Sequence, residues 1–523
     1  MKLLLTTLCL TLPACAALAA PAAKPNIVYI FSDDHAVQAI GACNGRLAEF
    51  CRQQGVTPNI DRLAASGALF TNSFCGNSIC SPSRASVLTG LHSHANGVPT
   101  LGGSLKEGVW TFPRGLREGG YQTALFGKWH LGNRPDGMDE YQILSGQGKY
   151  WNPMFADNSG KISTVEGYAT DIISRKSLDW LDRRDKSRPF LLLCHHKAPH
   201  RPFSPPARYF GFLNDVEVPE PETLFDDYGG NRPAARVQTL DIATSMNLPV
   251  DLKVLPHGKT PADLPPSQAA AWLEAFGARN DAFMAANLQG RELLRWKYQQ
   301  YAKDYLRCIK AVDDSVGEIL GYLEHNGLAE NTIVIYSSDQ GFYIGEHGWF
   351  DKRWIYEESL RMPLIVRWPG VTRAGARIDA MVQNIDHAPT LMEMAGLGAP
   401  EGLHGHSLAA LLRGQSPAGW RQAIYYRYND PGHGVSPHCG IRTARHTLAF
   451  FPKQTTWELY DLEQDPHQLR NIHSEASPEL IQALHRQMES LREQYGVPEN
   501  DLETGGHRAG KPGKSKKTKR GKS

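Results

Sequence analysis

The chain has 523 residues, with 41% hydrophobic and 21% charged residues and a formal net charge of +2. This composition is globular, and the length permits roughly two to four domains. The positive excess is confined to the last stretch, Lys511, Lys514, Lys516, Lys517, Lys519, Arg520 and Lys522, and the remaining body is mildly acidic, so composition gives no case for a protein built to bind nucleic acid.

At the start, Met1-Lys2 precedes an apolar run from Leu3 to Leu12 and then Ala17-Leu18-Ala19, the layout of a secretory signal with a small-residue cleavage site. Residues 1–19 are therefore expected to be a signal peptide and the protein to be exported, periplasmic or secreted. Leu12-Pro13-Ala14-Cys15 is a degraded lipoprotein match, which makes lipid anchoring at Cys15 the second choice. No later run reaches the roughly 20 apolar residues of a membrane span. With Cys9 and Cys15 in the signal and Cys80 set aside, six cysteines remain, and their pairing is left open.

Short apolar runs rich in β-branched and aromatic residues follow: Asn26 to Phe31, Thr123 to Phe126, Pro189 to Leu193, Thr332 to Tyr336 and Pro363 to Arg367. Such runs read as buried strands of a mostly parallel sheet. Helices are predicted between them, one from Pro58 with Thr57 as N-cap, one entered near Pro82, and one from about Leu294 to Glu324. Residues 202–290 have weak periodicity and read as an insertion over the site. After Leu412-Arg413-Gly414 the pattern changes to short strands, Ile424 to Tyr428, Arg445 to Phe451 and Trp457 to Asp461, and a final helix from Pro478 to Tyr495. The predicted fold is an α/β sandwich over 24–414 with a small α+β subdomain and antiparallel sheet over 415–497, then a basic tail over 498–523.

Polar residues cluster directly after the predicted strands: Ser32-Asp33-Asp34-His35, Gly127-Lys128-Trp129-His130, His195-His196-Lys197-Ala198-Pro199-His200 and Ser337-Ser338-Asp339-Gln340. In open α/β sheets, sites form at the carboxyl ends of strands, so these four segments are expected to converge. Asp33-Asp34 and Asp339-Gln340 offer oxygen ligands only, which favour Ca²⁺ or Mg²⁺ over zinc. Taken singly, each pair is more often a set of turn residues or helix caps.

The most specific stretch is Cys80-Ser81-Pro82-Ser83-Arg84 followed by Leu88-Thr89-Gly90. Together with Pro25-Asn26-Ile27-Val28, Thr57-Pro58-Asn59-Ile60-Asp61-Arg62-Leu63, Gly127-Lys128-Trp129-His130-Leu131-Gly132, Ser338-Asp339-Gln340-Gly341 and Glu458-Leu459-Tyr460-Asp461, it resembles the formylglycine-dependent type I sulfatases of the alkaline phosphatase superfamily. The resemblance implies that Cys80 is oxidised to Cα-formylglycine by a formylglycine-generating or anaerobic sulfatase-maturating enzyme. It further implies that Asp33, Asp34, residue 80, Asp339 and Gln340 surround calcium, Gln340 standing where Asn or His is commoner. Arg84 would steady residue 80, Lys128 and Lys352 would hold sulfate, His130 would act as base and His200 as acid. Gly345-Glu346-His347-Gly348-Trp349-Phe350-Asp351-Lys352-Arg353 resembles sulfatases of glycosaminoglycans and mucin O-glycans, with His347, His433 and His438 as candidates for the sugar pocket. The expected substrate is a sulfated carbohydrate, 6-O-sulfated N-acetylglucosamine ahead of sulfated galactose. Two other readings stay open at this point: a phosphodiester or phosphonate ester hydrolase of the same superfamily, and a non-catalytic glycan-binding protein if Cys80 is unmodified.

Overall fold

The computed structural model describes residues 24–499. The signal segment, Cys15 and the tail beyond residue 499 lie outside the described residues. The strand Asn26–Asp33 sits in the middle of a ten-stranded sheet and pairs in parallel with Phe190–Pro199 on one side and Thr332–Ser338 on the other. Gln122–Gly127 and Glu140–Leu144 extend the parallel core, and Leu364–Arg367 and Met154–Asp157 join it antiparallel on either side.

These strands are apolar on both faces because both faces are covered. Ile27, Tyr29 and Phe31 pack against the helices Cys80–Thr89, Phe112–Glu118 and His387–Met394. Val28 and Ile30 point the other way, against Pro58–Ser66, Ala169–Arg183 and the 36-residue helix Gly290–His325. The period-2 alternation of a strand thus feeds two separate cores.

A four-stranded antiparallel sheet, Ala423–Tyr428, His438–Thr443, His446–Phe451 and Thr456–Asp461, forms the C-terminal part. One face, with Tyr425, Ile441, Leu448 and Leu459, receives Leu484 and Met488 of the helix Pro478–Gln494. The other face, with Ile424, Tyr426, Phe451 and Tyr460, packs on Trp349, Trp354 and Tyr356. Those aromatics adjoin Lys352, so this sheet is sealed against the segment that carries it.

Several expectations need correction. Thr57 does not cap Pro58–Ser66: its hydroxyl accepts from Gly41 N at 2.9 Å and donates to Asp61 at 3.2 Å. Asp313 of the long helix instead accepts from Asn59 N and Ile60 N at 2.8 and 2.9 Å, and a carboxylate reaching two free amides replaces the local cap. The helix near Pro82 begins at Cys80 itself. Residues 202–290 contain the helix Ala269–Ala286, whose buried side chains Trp272, Phe276 and Asn280 form a narrow stripe at four-residue spacing. The seven described cysteines are all unpaired and buried. Among the described residues no helix is long and apolar enough to cross a membrane.

Candidate active site

The parallel strands end on one side of the sheet, and each delivers one part of the site. Asp33 and Asp34 end Asn26–Asp33, Lys128 follows Gln122–Gly127, His200 follows Phe190–Pro199, and Asp339 and Gln340 follow Thr332–Ser338. Cys80 opens its helix, so the free backbone N–H groups and the positive dipole end lie beside the same carboxylates. Its Sγ lies 3.3 Å from Asp33 Oδ1.

Cations bind these acids together. Lys128 Nζ donates to Asp33 and, at 2.6 Å, to Gln147 Oε1. Lys352 Nζ donates to both oxygens of Asp34 at 2.5 and 2.6 Å. Arg84 donates to Asp339 at 3.1 Å and to the carbonyl of Lys128 at 3.1 Å, with its guanidinium over Phe31. His200 Nε2 approaches Asp34 Oδ2 at 3.8 Å while its Nδ1 faces the Arg201 carbonyl at 2.7 Å. That carbonyl can only accept, so Nδ1 carries the proton and the lone pair of neutral His200 is on Nε2.

The burial of so many charges sets their proton affinities. Burial pushes Asp34 up to about 6 against the pull of Lys352. Burial, with the neighbouring charge of Asp33, pushes Asp339 up to about 7. Asp33 would also rise through burial, yet Lys128 foremost holds it well below the usual carboxylate range. Burial and Asp33 push the Cys80 thiol up, so an unmodified Cys80 stays protonated and is a poor nucleophile. Burial and then Lys128 bring His130 down to about 2, and burial with the lysines also lowers His200; both imidazoles are neutral bases in this state.

The residues fit a hard cation. Asp33, Asp34 and Asp339 each offer a carboxylate oxygen within 4.8 Å of the others. Gln340 Oε1 is buried without a hydrogen-bond partner, while its Nε2 donates to Asp34; a turn of the amide directs its oxygen to the carboxylates. Two raised carboxylates and an orphaned amide oxygen are what a cation among them would satisfy.

The structure separates the three sugar-pocket candidates. His347 is fully buried, held by Asp226 at 2.9 Å and packed between Tyr343, Trp349 and Tyr356. His438 is also fully buried; its Nε2 accepts from Ile355 N at 3.1 Å and its Nδ1 faces the Ser436 carbonyl at 2.9 Å. Both therefore act in the packing behind Lys352 rather than on an open face, as glycine-rich and aromatic surroundings in sequence did not reveal. His433 alone is accessible: it pairs with Asp430 at 2.7 Å, Asp430 accepts from Leu101 N at 3.1 Å, and Gly102 N donates to Ser81 beside Cys80. His195 and His196 serve structural bonds, to the Lys128 carbonyl and to Ser315.

Sequence reading missed Gln147, which holds Lys128, and Tyr150, whose hydroxyl donates to the His200 carbonyl at 2.5 Å. The signal for Gln147 was its place between Gly146 and Gly148, both with positive φ, after a parallel strand. Asp34, His130, Asp351 and Arg353 also adopt positive φ, a costly backbone state for non-glycine residues that concentrates at functional sites.

Comparison with known proteins agrees with this geometry. The sulfatase family model matches residues 25–397, and the model for the C-terminal region of N-sulphoglucosamine sulphohydrolase matches residues 345–494. The chain is 41% identical to an N-acetylglucosamine-6-O-sulfatase of Bacteroides thetaiotaomicron, covering 90% of this chain and 87% of that one. The human N-acetylglucosamine-6-sulfatase is 27% identical over 88% of this chain and 83% of its own. A solved structure described as a complex with its substrate D-glucosamine-2-N,6-O-disulfate superposes with a TM-score of 0.87 at 40% identity, covering 91% of this chain and 99% of that one. A phosphonate monoester hydrolase of Agrobacterium radiobacter, 23% identical over 90% of this chain and 96% of its own with a TM-score of 0.63, shares the fold. With its nucleophile position, acid cluster and flanking lysines in one place and the family model spanning most of its length, the chain belongs to the sulfatases and is a sulfuric ester hydrolase.

Proposed function

We propose that this protein is an exported, calcium-dependent enzyme that removes the 6-O-sulfate of N-acetylglucosamine or glucosamine units in glycosaminoglycans or mucin O-glycans. The observation that carries the chemistry is the pair Lys128 and Lys352, each buried against one of two adjacent aspartates around residue 80. The sugar preference is supported by the names of the relatives, not by a contact in this chain.

Oxidised to formylglycine by a maturating enzyme and hydrated, residue 80 supplies two hydroxyls on one carbon, one to attack sulfur and one to expel sulfate afterwards. Asp33, Asp34, Asp339 and Gln340 would hold calcium, which would supply positive charge for the oxygens gathered there. The chain's own groups do the rest. Lys128 and Lys352 neutralise the sulfate oxygens, which otherwise repel an anionic nucleophile. Arg84 fixes Asp339 and hence the carboxylate cluster. Neutral His130, its Nδ1 buried without a partner, takes the proton of the second hydroxyl. His200 gives a proton to the departing sugar oxygen, and for that it must first be protonated; sulfate bound between the lysines removes part of the positive field that lowers it.

Mass analysis of the residue 80 peptide from protein made in its native host, with turnover of 6-O-sulfated N-acetylglucosamine, tests this reading. An aldehyde and sulfate release are expected. A plain cysteine in fully active protein would refute the mechanism, and turnover of sulfated galactose but not of sulfated glucosamine would refute the sugar.

A further inference from the structure

The mechanism uses His200 and leaves the next side chain, Arg201, unassigned. Arg201 is anchored to an unusual degree for a residue at the rim of a site. Its Nε and Nη2 donate to the two oxygens of Asp251 at 2.6 and 2.7 Å, and Asp251 is fully buried whereas the Arg201 side chain is 40% exposed. Asp251 is itself fixed by Asn247 N at 2.8 Å. Lys253 Nζ reaches the carbonyls of Pro202 and Phe203 at 2.9 and 2.6 Å and pairs with Asp304 at 3.1 Å, which locks the backbone on the far side of Arg201. The guanidinium lies over the ring of Phe350 at 5.4 Å, directly before Asp351 and Lys352.

With one edge taken by Asp251, the end formed by Nη1 and the outer hydrogen of Nη2 is free, and Nη1 makes no hydrogen bond among the described residues. A planar donor pair, preorganised and partly desolvated against an aromatic ring, matches a carboxylate or sulfate-type anion. The sulfate that reacts is already met by Lys128 and Lys352, so this edge has no part in holding it. We propose that Arg201 is a specificity-determining residue that binds a second anionic group of the substrate, a sulfamate, sulfate or carboxylate beyond the reacting ester. The proposal rests on the sulfated amino-sugar reading above.

The test compares kcat/KM for three compounds: N-acetylglucosamine 6-sulfate, with one anion; N-sulfoglucosamine 6-sulfate, with a second on the same ring; and 6-sulfated N-acetylglucosamine linked to a uronic acid, with a second on the next ring. The wild-type enzyme is expected to favour at least one doubly anionic compound over the singly anionic one by roughly 10- to 100-fold, the range for a charge-assisted hydrogen-bonded pair. In Arg201→Gln, whose amide can still donate to Asp251, that ratio should collapse toward one, mainly through KM, and Arg201→Lys should retain part of it. The compound whose advantage disappears identifies the ring that carries the anion. A wild-type ratio near one, or a ratio unchanged by Arg201→Gln, overturns the assignment while the sugar reading stands. Equal slowing of all three compounds also overturns it, because a merely structural Arg201 would act so. Hydrolysis of nitrophenyl sulfate with none of the three sugars accepted overturns the sugar reading and this proposal together.

Discussion

Replacement of His200 is the sharpest probe of the mechanism. A protonated His200 at 3.8 Å from Asp34 Oδ2 gains about 4 kcal/mol from that carboxylate at an effective dielectric of about 20. Burial foremost, and then Lys128 and Lys352, oppose this gain, which is why the imidazole is neutral in the free site. In the mechanism proposed above, an anion between the lysines would restore the balance, and substrate would thereby arm the proton donor. His200→Ala should then slow a sugar sulfate by roughly 10²- to 10⁴-fold, about 3 to 5 kcal/mol of barrier. The hydrogen bond from Nδ1 to the Arg201 carbonyl is lost as well, at a stability cost of about 1 kcal/mol. His200→Asn, whose amide nitrogen takes the place of Nδ1, can remake that bond without supplying a proton and serves as the control for shape. Steady-state rates should be measured for both variants on 6-O-sulfated N-acetylglucosamine and on nitrophenyl sulfate, whose phenolate departs without protonation. Little change on the aryl ester and a large loss on the sugar is the expected split. Equal loss on both would mean that His200 holds the sulfate or the metal and that the proton comes from elsewhere.

Cys80→Ala and Cys80→Ser should both lose multiple turnover, since neither can present two hydroxyls on one carbon; near-normal steady rates in Cys80→Ala would remove the nucleophile. Chelation should inactivate the enzyme and calcium restore it, with Asp339→Asn weakening calcium affinity in a direct titration; recovery of zinc from native protein would contradict the all-oxygen ligand set. Burial raises Asp313 from 3.8 to about 6. The folded state therefore holds this proton more tightly than the unfolded chain, and stability present below pH about 4 is lost as pH rises through about 6, by at most about 3 kcal/mol. Asp313→Asn keeps the caps on Asn59 and Ile60 without the buried charge, so its stability relative to wild type should grow between pH 4 and 7 in denaturant titrations, and a constant offset would show that the carboxylate is not strained.

The parallel core and the site at its strand ends were legible because each strand is apolar on both faces and stops at polar residues. The strand Asn26–Asp33 runs two residues beyond its apolar stretch, because Ser32 and Asp33 are polar yet continue the strand and are buried. His438–Thr443 was missed because Gly440 and polar neighbours hide the apolar alternation of a strand that pairs with its chain neighbours on both sides. The carboxylates, lysines and His200 came together as expected, and the resemblance rather than periodicity pointed to Lys352. The burial of His347 and His438 was illegible for one reason: a histidine near a site motif reads alike whether it faces a ligand or a wall of tryptophan. Arg201 gave no signal of function because its meaning lies in what it touches, Asp251, 50 residues further along the chain.

The site joins residues that are made at very different times. Cys80 is 1% exposed in the folded protein, enclosed by Asp33, Asp339 and Lys352, so the oxidation proposed for it cannot be carried out on the finished structure by a large enzyme. Asp339 follows Cys80 by about 260 residues. At synthesis rates of roughly 5 to 20 residues per second, the Cys80 segment therefore exists for about 13 to 50 seconds before the strand that closes over it has been made. Whether a given molecule becomes an enzyme is then a race between a catalyst and the growing chain, and any change that speeds folding of the parallel core shortens the time in which activity can be conferred.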